Sequence, residues 1–217
     1  MQTVYLHGAN STGISFNYIM QNLPEHRKIV IEYSCDSSLK KICESVEDAV
    51  IASVDINKPF TIIGHSLGGI IGAYVFARLH KNERIKPVIE QCKLVTLASP
   101  FGGSKAATFI RWFFPGDILY RDIAHNGHGV MSAIRKSVLL QNLGAQGRIL
   151  PMVAHSEHPI FNKLEPGDSV VTVRSQKSMP EWKYEAFQYN HFEILQAADV
   201  ADRIKEFVFT KQIPSNK

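Results

Sequence analysis

The sequence has 217 residues, of which 45% are hydrophobic and 20% are charged, and these values are typical of one globular α/β domain covering residues 1–217. Lysine and arginine outnumber the acidic residues by 24 to 20, so the formal net charge is only +4, and no dense basic tract is present that could follow a phosphate backbone. The composition therefore argues against nucleic acid as a partner.

The three cysteines, Cys35, Cys43 and Cys92, are widely spaced and form no CxxC pattern, which predicts reduced thiols and not a disulfide framework. No secretory leader pattern follows Met1, and no apolar run approaches the ~18 residues needed to cross a bilayer. We therefore expect a cytoplasmic protein without a transmembrane segment, although leaderless secretion would leave the same pattern.

The first half of the chain alternates short apolar segments with helical patterns. Apolar runs bounded by turn residues indicate buried strands, and apolar residues at helical spacing indicate amphipathic helices. Asp36 or Ser37 is the expected cap of the second helix. The predicted strands in this half cover residues 4–6, 28–33 and 60–63, and the predicted helices cover residues 14–23, 38–54 and 68–79.

The second half continues the alternation, with predicted strands at residues 93–100, 148–153 and 183–187 and a final helix over residues 192–209. The pattern predicts a mostly parallel sheet of about six strands with helices on both faces. Residues 104–147 exceed a simple connection, so we interpret them as a helical insertion. We expect this insertion over the carboxyl edge of the sheet, where ligands bind in α/β folds.

Ser66 lies in the segment Gly64-His65-Ser66-Leu67-Gly68, between an apolar strand and a small-residue helix. This context is that of a nucleophile elbow, a sharp turn in which glycines two residues to either side avoid a steric clash. No lysine follows the glycines, which argues against a phosphate-binding loop. We predict that Ser66 is a nucleophile, and the alternative is a serine in a plain glycine-rich turn.

A serine nucleophile needs a histidine base and a carboxylate that orients the base, in the chain order Ser, acid, His. His191 follows the last predicted strand and precedes the last helix, so it is the predicted base. Asp168, in a Pro-Gly turn after a strand, is the predicted acid, with Asp117 and Asp122 of the insertion as alternatives. A capping histidine and an ordinary turn aspartate are the simpler interpretations.

The backbone amides of Ala9 and Leu67 are the predicted oxyanion hole. Leu67 follows the serine at a helix N-terminus, where an N–H group stabilises developing negative charge. Gly8 lets the loop after the first strand bend close to the serine, so the amide of Ala9 can face the same oxygen. Asn10 is a candidate substrate contact, and a plain Gly-Asn turn is the alternative for this loop.

Together these segments resemble the α/β-hydrolase superfamily, and within it the small lipases and esterases. "LHGANSTGISFNY" looks like the oxyanion loop of that family, "GHSLGG" like its elbow, "LASPFGGS" like its "TPHxGS" segment and "GDSVVTVRSQ" like its acid loop. The resemblance implies a minimal α/β-hydrolase fold with a Ser66, Asp168 and His191 triad. It also implies that the amides of Ala9 and Leu67 hold the oxyanion.

His7 and His65, by the same resemblance, support the loop and the elbow and are not second bases. Two features depart from the family pattern. The sheet begins at once with the oxyanion-loop strand, which predicts a core reduced to about six strands. Phe101 stands where the lipase segment usually has histidine. The triad assignment does not depend on that position.

The implied reaction is cleavage of a carboxylic ester through an acyl-enzyme. Ser66 attacks the carbonyl, His191 takes its proton and then protonates the leaving alcohol, and water releases the acyl group. The expected substrate is a small-molecule or lipid ester, and neither a metal nor another cofactor is required. The alternatives are a thioesterase or acyltransferase with the same triad and a non-catalytic binding protein of this fold.

An aromatic run in the insertion is the best clue to the substrate. It either packs a helix against the core or forms an apolar cap that binds an acyl chain or contacts a lipid surface. The run consists of Phe109, Trp112, Phe113, Phe114 and Tyr120, and Trp112, Phe113 and Phe114 are the candidate substrate contacts.

Two HxxH pairs, His125 with His128 and His155 with His158, raise the question of a metal site. Such pairs are seldom ligands without cysteine or carboxylate support. We therefore interpret these histidines as loop or site-rim residues and expect no metal.

Overall fold

A computed structural model describes residues 1–103, 118–124, 129–156 and 165–210 of the chain. Its centre is a six-stranded sheet in the order β2-β1-β3-β4-β5-β6, in which every neighbouring pair is parallel. The prediction of about six mostly parallel strands is confirmed. The strands are β1 (Gln2–Leu6), β2 (Arg27–Ile31), β3 (Phe60–His65), β4 (Lys93–Leu97), β5 (Ile149–Ala154) and β6 (Glu185–Phe187).

The described helices lie between and after the strands. A 3-10 turn, Gly13–Phe16, leads into the first helix. Ser38, and not the predicted Asp36 or Ser37, caps the second helix, because its side chain accepts a hydrogen bond from the amide of Lys41. The helices are α1 (Asn17–Asn22), α2 (Leu39–Ser53), α3 (Leu67–Leu79), α4 (Lys86–Ile89), α5 (Ile118–Ile123), α6 (Val130–Arg135), α7 (Val138–Ala145), α8 (Val173–Gln176) and α9 (Ala198–Phe209).

Each face of the sheet has its own hydrophobic core, because successive side chains of a strand point to opposite faces. Ile62 and Leu94 pack with the apolar residues of α2 and α3 on one face. Ile63 and Val95, one position further along the same strands, pack with those of α1 and α9 on the other. Helices therefore cover both faces, as the continuous apolar runs predict.

The predicted continuous helix over residues 192–209 is wrong at its start. A 3-10 turn, Glu193–Gln196, comes first, and Ala197 then adopts an extended conformation with φ −91° and ψ 132° before α9 begins. The side-chain oxygen of Asn190 accepts the amides of both Phe192 and Glu193 at 2.9 Å, which stabilises the separate turn. The segment after His191 is therefore a tight turn and not a helix.

The described part of the predicted insertion, residues 104–147, packs beside the helices of the sheet. Helix α5 contacts α2, and α6 and α7 contact α3. A carboxylate oxygen of Asp122 accepts the amide of Leu39 at 2.9 Å, so this alternative acid binds the N-terminus of α2. Asp117 and the aromatic residues 109 and 112–114 lie outside the described residues.

The three cysteines are free thiols, as predicted. Burial raises the pKa of the Cys43 and Cys92 thiols, so neither is activated as a nucleophile. No helix in the described ranges combines the length and the apolar character needed to span a bilayer.

Candidate active site

Because all strands run parallel, the loops that follow β1, β3, β4 and β5 meet at one edge of the sheet. Among the described non-glycine residues, those with positive φ all lie in these loops: Asn10 at 52°, Ser66 at 53°, Ala98 at 51° and Ser169 at 83°. Such conformations cost free energy in residues with a Cβ atom, and strained backbone is typical of functional sites. This carboxyl edge is therefore the candidate location of the site.

Ser66 occupies a sharp turn between β3 and α3, with φ 53° and ψ −118°. A Cβ atom on Gly64 would lie 2.3 Å from the carbonyl oxygen of Gly68, and one on Gly68 would lie 2.0 Å from that of Leu6. Only glycine fits at both positions, so the predicted steric reason for the Gly-x-Ser-x-Gly spacing is confirmed. The serine side chain is held at the sheet edge and is partly exposed.

The amide of Ala9 lies in the loop after β1, and that of Leu67 directly follows the serine. Leu67 is the first residue of the 13-residue helix α3. The Nδ1 atom of His7 donates to the carbonyl of Gly8 at 2.8 Å, and because a trans peptide is planar, the next amide, that of Ala9, points away from the imidazole. In the described part of the chain, neither amide donates to a backbone carbonyl. Neither of these two N–H donors is therefore used by a described backbone carbonyl.

Residues at the end of β2 hold the loop that carries Ala9. The Tyr33 hydroxyl donates to the carbonyl of His7, and the two rings stack with 4.1 Å between centroids. A carboxylate oxygen of Glu32 accepts the amide of Gly13 at 2.8 Å. His7 therefore has the supporting position that the family resemblance implies.

Asp168 and His191, 23 residues apart, form a buried pair. The Nδ1 atom of His191 donates to Oδ2 of Asp168 at 2.7 Å, and the amide of His191 donates to the Asp168 carbonyl at 2.8 Å. The other carboxylate oxygen accepts the amides of Val170 and Val171 at 2.9 and 2.7 Å. Because a carboxylate only accepts, Nδ1 carries the proton and Nε2 is the basic nitrogen.

The Nε2 atom of His191 and the hydroxyl of Ser66 form no hydrogen bond to any described residue. His65, the last residue of β3 and the residue before Ser66, connects their two segments. Its Nε2 atom donates to the carbonyl of His191 at 2.8 Å, and the two imidazole centroids are 4.8 Å apart. The structure thus places the predicted serine and the predicted base on segments in direct contact at one edge.

His65 stays neutral in this position. Burial and, to a smaller extent, the nearby imidazole of His191 lower its pKa from 6.5 to about 3, and the hydrogen bond to the His191 carbonyl opposes the shift. Its Nδ1 atom is buried without a hydrogen-bond partner in the described chain. A neutral His65 that donates to the backbone of His191 has the supporting position that the resemblance implies.

Two residues at this edge were not among the predicted site residues. Gln176 is buried, and its side-chain amide donates to Oδ2 of Asp168 at 3.2 Å. Phe192 is 66% exposed, and its ring meets that of His191 edge-on at 5.3 Å. No sequence pattern marks a single glutamine in a four-residue helix as a site residue. Phe192, in contrast, could have been predicted as a site residue because it directly follows His191, the predicted base.

The other predicted contacts lie elsewhere or outside the described residues. Asn10 is exposed in the loop after β1, and Trp112, Phe113 and Phe114 fall in the range that is not described. Phe101, which departs from the lipase pattern, is buried and packs edge-on against Trp182 with centroids 4.8 Å apart.

Among the candidate metal-binding histidines, only His155 is described, and the described residues contain no cluster of three or more His, Cys, Asp or Glu that could hold a metal. A cavity of about 680 Å³ lies between α2, α3, α6 and α7, and another of about 380 Å³ lies between α2, α3, α5 and α6. Tyr74 and Ala133 line both cavities, and neither cavity reaches Ser66 or His191. The carboxyl edge remains the only described place where predicted catalytic residues converge.

A family model described as "Putative serine esterase (DUF676)" matches residues 31–179, a range that includes Ser66 and Asp168. No curated protein matches the chain.

Solved structures of similar fold cover nearly all of this chain. The mature lipase BlEst2 of Bacillus licheniformis is 14% identical, with a TM-score of 0.69 over 96% of this chain and 92% of that one. Phospholipase PlaB of Legionella pneumophila is 15% identical, with a TM-score of 0.76 over 97% and 60% of the two chains. An extracellular α/β-hydrolase of a Paenibacillus species is 14% identical, with a TM-score of 0.56 over 97% and 100%. At these identities the likeness shows the α/β-hydrolase fold.

Proposed function

Since the chain belongs to the family described as "Putative serine esterase (DUF676)", we propose that it cleaves carboxylic esters through an acyl-enzyme formed on Ser66. The chain is a carboxylic ester hydrolase with the α/β-hydrolase fold. The observation that carries the proposed mechanism is the buried hydrogen bond of 2.7 Å between Asp168 and His191, on a segment joined through His65 to the elbow.

In the proposed first half-reaction, Nε2 of His191 accepts the hydroxyl proton of Ser66 as its oxygen attacks the ester carbonyl. The amides of Ala9 and Leu67 stabilise the oxyanion, and the dipole of α3 adds to this stabilisation. Asp168 keeps the proton on Nδ1 and stabilises the imidazolium that forms. His191 then protonates the leaving alcohol as the tetrahedral intermediate collapses.

In the second half-reaction, water attacks the acyl group on Ser66 and gives its proton to His191, which returns it to the serine oxygen as the acid product leaves. The proposed substrate is a small-molecule or lipid ester. The exposed ring of Phe192 beside the base supports this choice, because it offers an apolar contact to either part of the ester. Three free thiols support a reducing, cytoplasmic setting.

Labelling with a fluorophosphonate probe tests the nucleophile. We expect the unaltered protein to label and Ser66→Ala to lose labelling, whereas Ser45→Ala, which changes an exposed serine on α2, should label normally. A panel of p-nitrophenyl esters of increasing chain length then measures the acyl preference. If the folded protein neither labels nor hydrolyses any ester, the proposed mechanism is wrong. Labelling that survives in Ser66→Ala places the nucleophile elsewhere.

A further inference from the structure

Gln176, at the end of α8, joins the last residue of β5 to the carboxylate of Asp168. Its side-chain oxygen accepts the amide of Ala154 at 2.9 Å, and its side-chain nitrogen donates to the carbonyl of Ala154 at the same distance. The same nitrogen donates to Oδ2 of Asp168 at 3.2 Å and lies 3.3 Å from the carbonyl of Val171. One carboxamide thus satisfies both main-chain groups of a strand end and reaches the acid.

The carboxylate of Asp168 is fully buried, so hydrogen-bond donors must offset the free-energy cost of removing its charge from water. Two backbone amides donate to Oδ1, whereas His191 and Gln176 donate to Oδ2. No lysine or arginine in the described ranges forms an ion pair with this carboxylate. Among described side chains, Gln176 is therefore the only donor to Asp168 apart from the histidine itself.

The backbone of the acid loop and the carboxylate are held by different contacts. The amide of Ser156 donates to the carbonyl of Gly167 at 2.8 Å, which ties the loop to the end of β5. This bond does not touch the carboxylate, of which the amides of Val170 and Val171 hold only Oδ1. The Gln176 contact acts on Oδ2 directly, and Oδ2 is the oxygen that receives the proton of His191.

We infer that Gln176 is a positioning residue for the reaction, one that fixes Oδ2 of Asp168 and thereby the direction of the His191 imidazole. The inference rests on the proposed function of Asp168 and His191. A neutral amide suits this position because it donates to the carboxylate and also accepts from the Ala154 amide. A hydrocarbon chain would do neither, and a second carboxylate would place like charges within hydrogen-bond distance.

Two variants separate positioning from packing. Gln176→Met keeps the length of the side chain but removes every hydrogen bond. By analogy with hydrogen-bond partners behind metal ligands, whose loss costs 10- to 100-fold, we expect kcat to fall about 10- to 100-fold with KM nearly unchanged. In Gln176→Glu, a protonated carboxyl group can still donate to Asp168. Its activity should therefore fall progressively as pH rises from 5 to 9, because two adjacent carboxyl groups cannot both ionise without loss of geometry.

Ser175→Ala is the matched control, because Ser175 is a buried neighbour on α8 whose hydroxyl donates to the carbonyl of Gly103 and not to the acid. It should keep the normal kcat and pH profile even if its melting temperature falls. The inference is overturned if folded Gln176→Met and Gln176→Glu keep the normal kcat and pH profile. It is also overturned if both variants lose activity only in proportion to the fraction of protein that is unfolded.

A readout without substrate separates failure of this inference from failure of the proposed function. The Nδ1 proton of His191, in a short bond to a carboxylate, gives a low-field proton NMR resonance. We expect Gln176→Met to shift or broaden this resonance and Ser175→Ala to leave it in place. An unchanged resonance in Gln176→Met would overturn the positioning role even in a protein that hydrolyses no tested ester.

Discussion

The two ends of the parallel sheet both carry buried polar side chains, but they use them differently. At the amino end, Lys93 opens β4 and donates to the carbonyls of Phe207 and Thr210 at 2.6 and 3.1 Å. Arg148, directly before β5, donates to the carbonyls of Ile89 and Cys92. These donors bind main-chain carbonyls at the ends of helices and loops, which stabilises the fold.

At the carboxyl end, polar side chains bind one another and some of their atoms have no described partner. Asp168 binds His191, His65 leaves its buried Nδ1 unpaired, and the Ser66 hydroxyl has no hydrogen bond within the described chain. The described non-glycine residues with positive φ also lie here. The amino end thus uses these buried donors to bind the main chain, whereas the carboxyl end holds strained backbone and unpaired polar atoms. Under the proposed function, the carboxyl end gives up stability for reactivity.

The largest effect that tests this comparison is expected from Asp168→Asn. Two backbone amides donate to Oδ1, so the side-chain oxygen would occupy that position and the NH₂ group would face His191. The imidazole would then place its proton on Nε2 and could not act as a base. We expect kcat for a p-nitrophenyl ester to fall about 10⁴-fold with an unchanged circular dichroism spectrum.

Asp122→Asn is the control for that measurement, because Asp122 binds the N-terminus of α2. It should keep kcat and lose only a little stability. A large loss of kcat in Asp122→Asn, with activity kept in Asp168→Asn, would move the acid to the other carboxylate.

The opposite end should respond to Arg148→Met with a loss of stability and not of activity. The change removes the guanidinium hydrogen bonds to the buried carbonyls of Ile89 and Cys92, although that of Ile89 keeps the amide of Cys92 as a donor. We expect about 3 kcal/mol less free energy of unfolding in urea. The kcat of the folded fraction should stay within about twofold of normal. A specific loss of kcat at full folding would break the division between the two ends.

The buried, neutral His65 predicts a pH dependence of stability. Its pKa is about 3 in the folded protein and 6.5 in the unfolded chain, so between these pH values the unfolded chain binds a proton that the folded protein does not. Stability from this residue is complete above pH 6.5 and is lost as pH falls toward 3, by about 1.4 kcal/mol per pH unit. Between pH 6.5 and 5 the expected loss is about 2 kcal/mol.

Urea unfolding of His65→Gln at both pH values isolates this effect, because glutamine does not titrate and can still donate to the His191 carbonyl. The variant should lose about 2 kcal/mol less than the unaltered protein over this pH interval. His80→Gln serves as a comparison, since burial lowers the pKa of His80 too but far from the site. Equal slopes in the unaltered protein and His65→Gln would contradict the prediction.

The smallest expected effect concerns backbone strain at Ser66. Both Ser66→Ala and Ser66→Gly remove the nucleophile, but only glycine adopts φ 53° and ψ −118° without strain. We expect Ser66→Gly to be about 1 kcal/mol more stable than Ser66→Ala in thermal or urea unfolding. Equal stability would mean that the carboxyl end stores no strain at its central residue.

Much of this architecture follows from local patterns. Short apolar runs predict the six strands to within about three residues at each end, because buried strands need continuous apolar sequence. The glycine spacing around Ser66 predicts the elbow, because the steric clash that it avoids is local. The order of Ser66, Asp168 and His191 along the chain was enough to predict the contact between Asp168 and His191, and the role of the three as a triad stays a prediction.

Features set by distant contacts could not be predicted in this way. The role of Gln176 depends on its contacts with Ala154 at the end of β5 and with Asp168, which the local sequence around Gln176 does not indicate. Helix α4 has four residues and a proline at its start, so it is too short to show a period. The break at Ala197 depends on the side chain of Asn190 and not on the apolar pattern, which continues across the break.

The hydrogen bond from His65 to the carbonyl of His191 joins residues 126 positions apart. Closing such a long loop is entropically costly, and contacts of this separation form late when a chain folds. The elbow can therefore be complete while the base is still undocked. Recovery of esterase activity after dilution from denaturant should lag behind recovery of the circular dichroism signal, so catalysis itself would report the last step of folding.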